Sequence, residues 1–156
     1  MNEEQKVIEE RFNAISPHVK ELIRQCALKN DDARKSLPVN FLVNKILYIK
    51  HKKETLADSP EAMGIQLWNF HLFLTAKVLQ SENIWEILEK TQNFKDFNID
   101  NNPYRERDFG NFKVKKEGAY YFKFDYFKDN TMEMASDNHL KDDCYRNLTI
   151  MHSSEY

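Results

Sequence analysis

Apolar residues recur at helical spacing through the first third of the chain. Val7, Ile8, Phe12 and Ile15 form one run, and Val19, Leu22, Ile23, Cys26 and Ala27 a second. Ser16-Pro17 divides them. A serine hydroxyl can take the free N–H groups of a first helical turn, and proline at the first helical position gives up an N–H that has no partner there. Glu3 and Glu4 favour a helix start at the head of the first run. Asn30-Asp31-Asp32 is expected to end or interrupt the second. After Pro38, the spacing of Phe41, Leu42, Ile46 and Ile49 predicts a third helix, with Val43, Leu47 and Tyr48 widening its apolar face. It should end in the basic run Lys50-His51-Lys52-Lys53, where cations complement the helix dipole. Ser59-Pro60-Glu61 has the composition of another helix start.

The period then changes. Residues 65–79 suit a strand or a buried helix; Trp68, Phe70, Leu72 and Leu74 alternate, and aromatics with threonine fit a pleated surface, so a strand is expected over 67–75. Residues 82–94 read as a helix capped by Ser81, with Ile84, Trp85, Leu88 and Gln92 on one face. Asn101-Asn102-Pro103 marks a turn. Phe112 and Val114 alternate with Lys113 and Lys115, and Lys116-Glu117-Gly118 reads as a hairpin connection. Tyr120, Phe122, Phe124 and Tyr126 should then face the core while Tyr121, Lys123 and Asp125 face outward. Residues 128–143 are polar loop, and Leu148 and Ile150 sit in a short final strand. The fold class is α+β: N-terminal helices followed by a small antiparallel sheet with a packed helix. A helical segment (1–65) and an α+β domain (66–156) are expected, able to form one unit.

Composition narrows the function. The 156 residues are 41% hydrophobic, enough for a core, and the 31% charged residues nearly balance at a net charge of −2. That argues against a general polyanion binder and against an acidic DNA mimic. Two cysteines without a C-x-x-C cannot complete a four-thiolate zinc site. The charged opening residues lack the apolar core of a secretory leader, so none is expected, and no run reaches the roughly 18 apolar residues of a membrane span. A cytoplasmic protein with free thiols is the expectation. Only Gly64, Gly110 and Gly118 are glycines, so no dinucleotide fingerprint, P-loop or G-x-S-x-G can be built.

Three segments stand out in order: Asn101-Asn102-Pro103-Tyr104-Arg105-Glu106-Arg107-Asp108-Phe109-Gly110, then Phe122-Lys123-Phe124-Asp125-Tyr126-Phe127, then Leu148-Thr149-Ile150-Met151-His152-Ser153-Ser154-Glu155-Tyr156. Over about residues 72–156 they resemble a bacterial domain family of unknown function, family 3768. Its members carry segments like N-D-P-Y-G-E-H-D-F-G, W-K-I-D-Y-Y and L-T-I-M-L-A-x-E-Y. Where that pattern has Gly and His, this chain has Arg105 and Arg107, so any ligand or base role of the His is lost. The resemblance implies a small intracellular bacterial protein of a type often encoded on plasmids and other mobile elements. The helical first half is not matched, which makes it a place for partner-specific contacts.

The chemical candidates are few. Asp108-Phe109-Gly110 spells the kinase magnesium motif, but no Gly-rich loop or H-R-D segment accompanies it. Gly110 is expected to permit a turn or bulge, with Phe109 as a core anchor. Pro103, Glu106, Asp108 and Gly110 are assigned to a structural turn, its carboxylates bonding Arg105, Arg107 and backbone N–H groups. In the competing reading, Glu106, Asp108 and Asp125 converge as a metal-dependent hydrolase or nuclease site. Arg105 and Arg107, two apart in an extended segment, would point the same way and could hold phosphate or carboxylate. His139 with Asp142, Asp143 and Cys144 is the densest ligand-like cluster, and Cys144 with His139 or His152 is a conceivable thiol–base pairing, yet neither motivates a metal or catalytic assignment. No cofactor is expected.

Lys45, Tyr48, Lys50, His51, Lys52 and Lys53 form a basic patch with an aromatic, suited to nucleic acid or an acidic partner, or simply a solvated helix end. The expected function is binding: a mobile-element inhibitor or modulator of a host protein or ribonucleoprotein, an antagonist of a CRISPR-type defence nuclease being one form. A direct RNA- or DNA-binding protein is the alternative. Trp68, Trp85, Arg105 and Arg107 would be interface anchors if exposed, although both tryptophans are expected in the core.

Overall fold

The computed structural model describes residues 1–56 and 61–156, and side chains for all of these except 53–56. Ser59 and Pro60, and the side chain of Lys53, lie outside the described residues. Three helices come first: α1 (Glu3–Asn13), α2 (Pro17–Lys35) and α3 (Val39–Leu56). A hairpin of β1 (Met63–Gln66) and β2 (Phe70–Leu74) follows, then the short α4 (Ala76–Gln80) and α5 (Ile84–Gln92). A second hairpin, β3 (Phe109–Val114) and β4 (Gly118–Phe127), precedes β5 (Tyr145–His152) and a closing 3-10 turn, Ser153–Glu155. The chain is α+β, with a five-stranded sheet ordered β1-β2-β5-β4-β3. Pairing is antiparallel except between β2 and β5, which run parallel. The last strand therefore enters the centre of the sheet, between two hairpins made earlier in the chain.

Local signals explain most boundaries. The Asn2 side chain accepts the Gln5 N–H and Gln5 returns the bond, closing a capping box on α1. The Ser16 hydroxyl accepts the Val19 N–H at 3.3 Å with Pro17 in the first turn of α2, as the sequence predicts. The β3–β4 hairpin turns through Lys116 (φ 71°) and Gly118 (φ 91°), and Tyr120, Phe122 and Phe124 are buried on the helix-covered face. That face joins Leu72, Leu74, Leu148 and Ile150 with Ala33, Leu42, Ile46, Ile87 and Leu88 from the helices, so one core cluster spans the first half and the sheet.

Several expectations change. Asn30-Asp31-Asp32 does not end α2, which continues to Lys35, because Asn30 and Asp31 find buried partners. Helix α3 runs through its basic residues to Leu56, and of its expected apolar face Phe41, Leu47 and Tyr48 are exposed. Glu61 leads into strand β1 instead of a helix, and the strand expected over 67–75 is confined to Phe70–Leu74, with 67–69 as the hairpin turn. Trp68 therefore sits in that turn at 99% exposure, and Trp85 is 45% exposed on the outer side of α5; neither is core. Asn83, not Ser81, holds the cap position of α5, and the Ser81 hydroxyl instead accepts the Asn83 N–H and donates to Glu117. Gly110 lies inside β3 with no turn: a Cβ there would meet the Phe122 ring at 2.4 Å and the Phe94 ring at 2.7 Å. Close packing, not backbone freedom, demands the glycine.

The helices are fixed to the sheet by a buried charge. Arg34, 1% exposed, bonds Asp31 Oδ1 at 2.6 Å and the carbonyls of Thr91 and Phe94 at 3.0 Å each, with its guanidinium over the rings of Phe97 and Phe122. Removing one partner of such a pair strands the other in a medium that solvates it poorly. Asp31→Ala is expected to cost about 3–5 kcal/mol. Urea denaturation would read this as a lower midpoint at unchanged slope.

Candidate functional site

Helix α2 carries polar residues on the phase that faces inward. Cys26, Asn30, Asp31 and Arg34 follow Ile23 and Ala27 at helical spacing, and all are buried. They meet the loop before β3 and the adjoining ends of β4 and β5. Asn30 organises the contact: its amide donates to the Tyr126 hydroxyl (2.8 Å) and the Glu106 carbonyl (3.0 Å) and accepts from Arg146 Nε (2.8 Å). Arg146 also reaches Cys26 Sγ at 3.6 Å and lies over the Tyr126 ring. The His139 ring stacks on Tyr126, centroids 4.3 Å apart and planes within 8°, and its Nε2 meets Glu106 Oε1 at 2.7 Å. Cys26 Sγ, a Glu106 oxygen and a His139 nitrogen thus lie within 4.8 Å of one another.

A cleft of about 610 Å³ opens beside this cluster, between α1, α2 and the 99–106 loop. Ile8, Phe12, Ile15 and Ile23 make its walls apolar, and Glu106 lines it as well. Glu106 therefore borders both the buried network and the cleft. The environment is poor in water: burial pushes the Cys26 thiol up, aided by the nearby Glu106 charge, against the Tyr126 bond and Arg146. Burial first, and then the Glu106 charge, also raises Asp108 above its ordinary value of 3.8.

The expected site residues fall in three places. Arg105 and Arg107 do not share a side of an extended segment; both have positive φ, 64° and 56°. Arg105 pairs with Glu9 of α1 and lies 4.2 Å over the Phe12 ring, while Arg107 pairs with Asp31 Oδ2 and covers Phe97. The turn around Pro103 is held by Asn102, whose side chain accepts the Arg107 N–H at 2.8 Å, rather than by Glu106, which turns inward to His139. Asp125 stands on the other face of β4, paired with Lys123 at 3.3 Å. His139 does not gather Asp142, whose carboxylate takes the Ser136 hydroxyl and Asn138 N–H; Cys144 donates to the His139 carbonyl and accepts from Arg146 Nη1, each at 3.8 Å. His152 binds the Glu117 carbonyl and the Ser154 hydroxyl.

The basic patch divides. Lys45, Tyr48 and Lys52 join Phe41 on one exposed stripe of α3, with the Lys45 ammonium 5.9 Å from the Phe41 ring centre and that of Lys52 5.0 Å from Tyr48. His51 is exposed beside them. Lys50 points the other way and bonds the Ser81 carbonyl at 3.4 Å. Sequence reasoning missed Cys26, Asn30, Tyr126 and Arg146 as site residues. The available signal was the placement of Asn30 and Asp31 on the core phase of α2, where unpartnered polar groups are costly.

Residues 74–155 match the model of a family described as Protein of unknown function (DUF3768), in agreement with the resemblance in the three motif segments. Residues 1–73, including α1 to α3 and β1, lie outside the match. No curated protein and no solved structure matches the chain.

The Asp108 environment gives a pH signature. An acid whose folded pKa is raised stabilises the fold fully below its unfolded value and loses that contribution as pH rises through the folded one. Asp108→Asn is therefore expected to raise stability at neutral pH, and the gain should vanish on acidification below about 3.8. Denaturation midpoints across that range measure it.

Proposed function

The chain belongs to the DUF3768 family, a membership that brings no activity with it, and we propose that this member works by binding a macromolecular partner rather than by catalysis. The partner is a host protein or ribonucleoprotein that it inhibits or modulates, in the manner of small mobile-element proteins. Antagonism of a CRISPR-type defence nuclease is the specific form of this reading. The supporting observation is the α3 stripe. Phe41 and Tyr48 are 57% and 59% exposed, each next to a lysine ammonium, at positions the core does not use. Helical residues spaced in this way present a row of flat apolar faces edged with positive charge, which suits an acidic groove. The stripe lies outside the family-matched residues, where a contact particular to this chain belongs.

A second reading rests on the same side chains: bases stacking on Phe41 and Tyr48, with phosphates at Lys45 and Lys52. The two differ in salt dependence and in what co-purifies. In affinity purification from the native host, a stoichiometric protein or ribonucleoprotein is expected. Combined Lys45→Glu, Tyr48→Ala and Lys52→Glu substitutions should reduce its recovery about tenfold or more, with an unchanged circular dichroism spectrum and melting curve. Nucleic acid recovered without protein, released steeply by salt, would favour the second reading. Undiminished capture by the triple variant would remove the stripe from both.

A further inference from the structure

We propose that Cys26, Glu106 and His139 form a binding site for a divalent transition-metal ion of the zinc class, with a fourth coordination position facing the α1–α2 cleft. This site is independent of the α3 stripe. It joins three ligand types: a buried thiol, a buried carboxylate and a half-buried imidazole, with ligand atoms within 4.8 Å of one another. Bond lengths of about 2.0–2.3 Å around a tetrahedral ion place ligand atoms roughly 3.3–3.8 Å apart. The widest gap then needs to close by about 1 Å, and the His139 Nε2–Glu106 Oε1 pair, hydrogen-bonded at 2.7 Å, opens by about 0.6 Å to admit the ion. The donor set decides the class of ion: sulfur with imidazole selects zinc and its neighbours, whereas magnesium and calcium take oxygen.

The surroundings hold these ligands in place. Cys26 is on a packed turn of α2, the Glu106 backbone is fixed by Asn30, and the His139 ring lies flat on Tyr126. The Arg146 guanidinium, 3.6 Å from Cys26 Sγ, can donate to a thiolate, the kind of outer contact that orients metal ligands. One thiolate and one carboxylate neutralise the ion, and binding releases the thiol proton to solvent. Three protein ligands leave one tetrahedral position for water or an incoming ligand, the arrangement of open zinc sites. Because Glu106 also lines the cleft, the ion would be reached from a cavity of about 610 Å³ with apolar walls.

Cobalt(II) is a direct probe of this site. Full-length protein, freed of metal by chelator dialysis, should take up one cobalt per chain. A thiolate-to-cobalt charge-transfer band should appear and then disappear on adding zinc. Cys26→Ser should remove the band, His139→Gln should weaken binding by at least about 10- to 100-fold, and Cys144→Ser should change neither. Zinc should also raise the melting temperature of the wild-type protein but not of His139→Gln. Should Cys26→Ser fail to fold, His139→Gln, altered in a surface loop and checked by circular dichroism, carries the decision. Absence of the band in the wild type, its loss in Cys144→Ser, or equal affinity in His139→Gln would overturn the proposal.

Discussion

The Asp31 carboxylate is the point on which the two halves of the molecule turn. One oxygen binds Arg34 inside the core and the other binds Arg107 at the edge of the loop before β3. Arg34 in turn takes the carbonyls of Thr91 and Phe94 at the end of α5, so a single carboxylate ties α2, α5 and the loop together. Buried charges of this kind need nearly every lone pair and proton matched. That requirement fixes the loop more tightly than packing alone would. With Arg107 drawn outward to Asp31 and the Glu106 carbonyl held by Asn30, the Glu106 side chain meets His139 and Cys26.

The family-matched region is organised by the central position of β5. Its first and last motif segments, far apart in sequence, meet at the sheet: Phe109 and Tyr156 form one aromatic cluster with Tyr121, the residue just before the second segment, on the face away from the helices. Glu155 of the closing 3-10 turn accepts the Thr75 hydroxyl at 2.7 Å and the Lys77 N–H at 3.1 Å, supplying the first turn of α4 with a carboxylate that its own cap residue does not provide. The turn after β5 is thus tied to the β2–α4 junction, and β5 stands between the two hairpins as the second neighbour of both β2 and β4.

The departures from the family pattern become intelligible in this frame. Arg105 takes a left-handed backbone where the resembled pattern has glycine, a conformation that costs a non-glycine residue roughly 1–2 kcal/mol. Its contacts with Glu9 and the Phe12 ring offset that cost, and both come from α1, a helix outside the family match. Arg107 likewise binds α2. The two arginines fasten the unmatched helices α1 and α2 to the family-matched region beside Glu106. Helix α3, also outside the match, carries the exposed stripe, so the unmatched residues supply both an outward surface and part of the walls of the cleft.

Local rules were sufficient for much of the fold. Periodicity and caps set α1, the start of α2 and the β3–β4 hairpin, because Ser16-Pro17, Lys116-Glu117-Gly118 and the alternating aromatics of β4 act through neighbours in sequence. The three motif segments also sufficed for the family. Whatever depends on partners distant in sequence was decided by tertiary structure. Asn30 and Asp31 look like a helix stop until Tyr126, Arg107 and Arg146 satisfy them. Trp68 looks like core until the register of β1 with β2 puts it in a turn. Cys26, Glu106 and His139 become one cluster only because α2, the loop before β3 and the loop before β5 converge on the end of β4. No spacing along the chain encodes that convergence; it follows from which polar groups must share a buried partner.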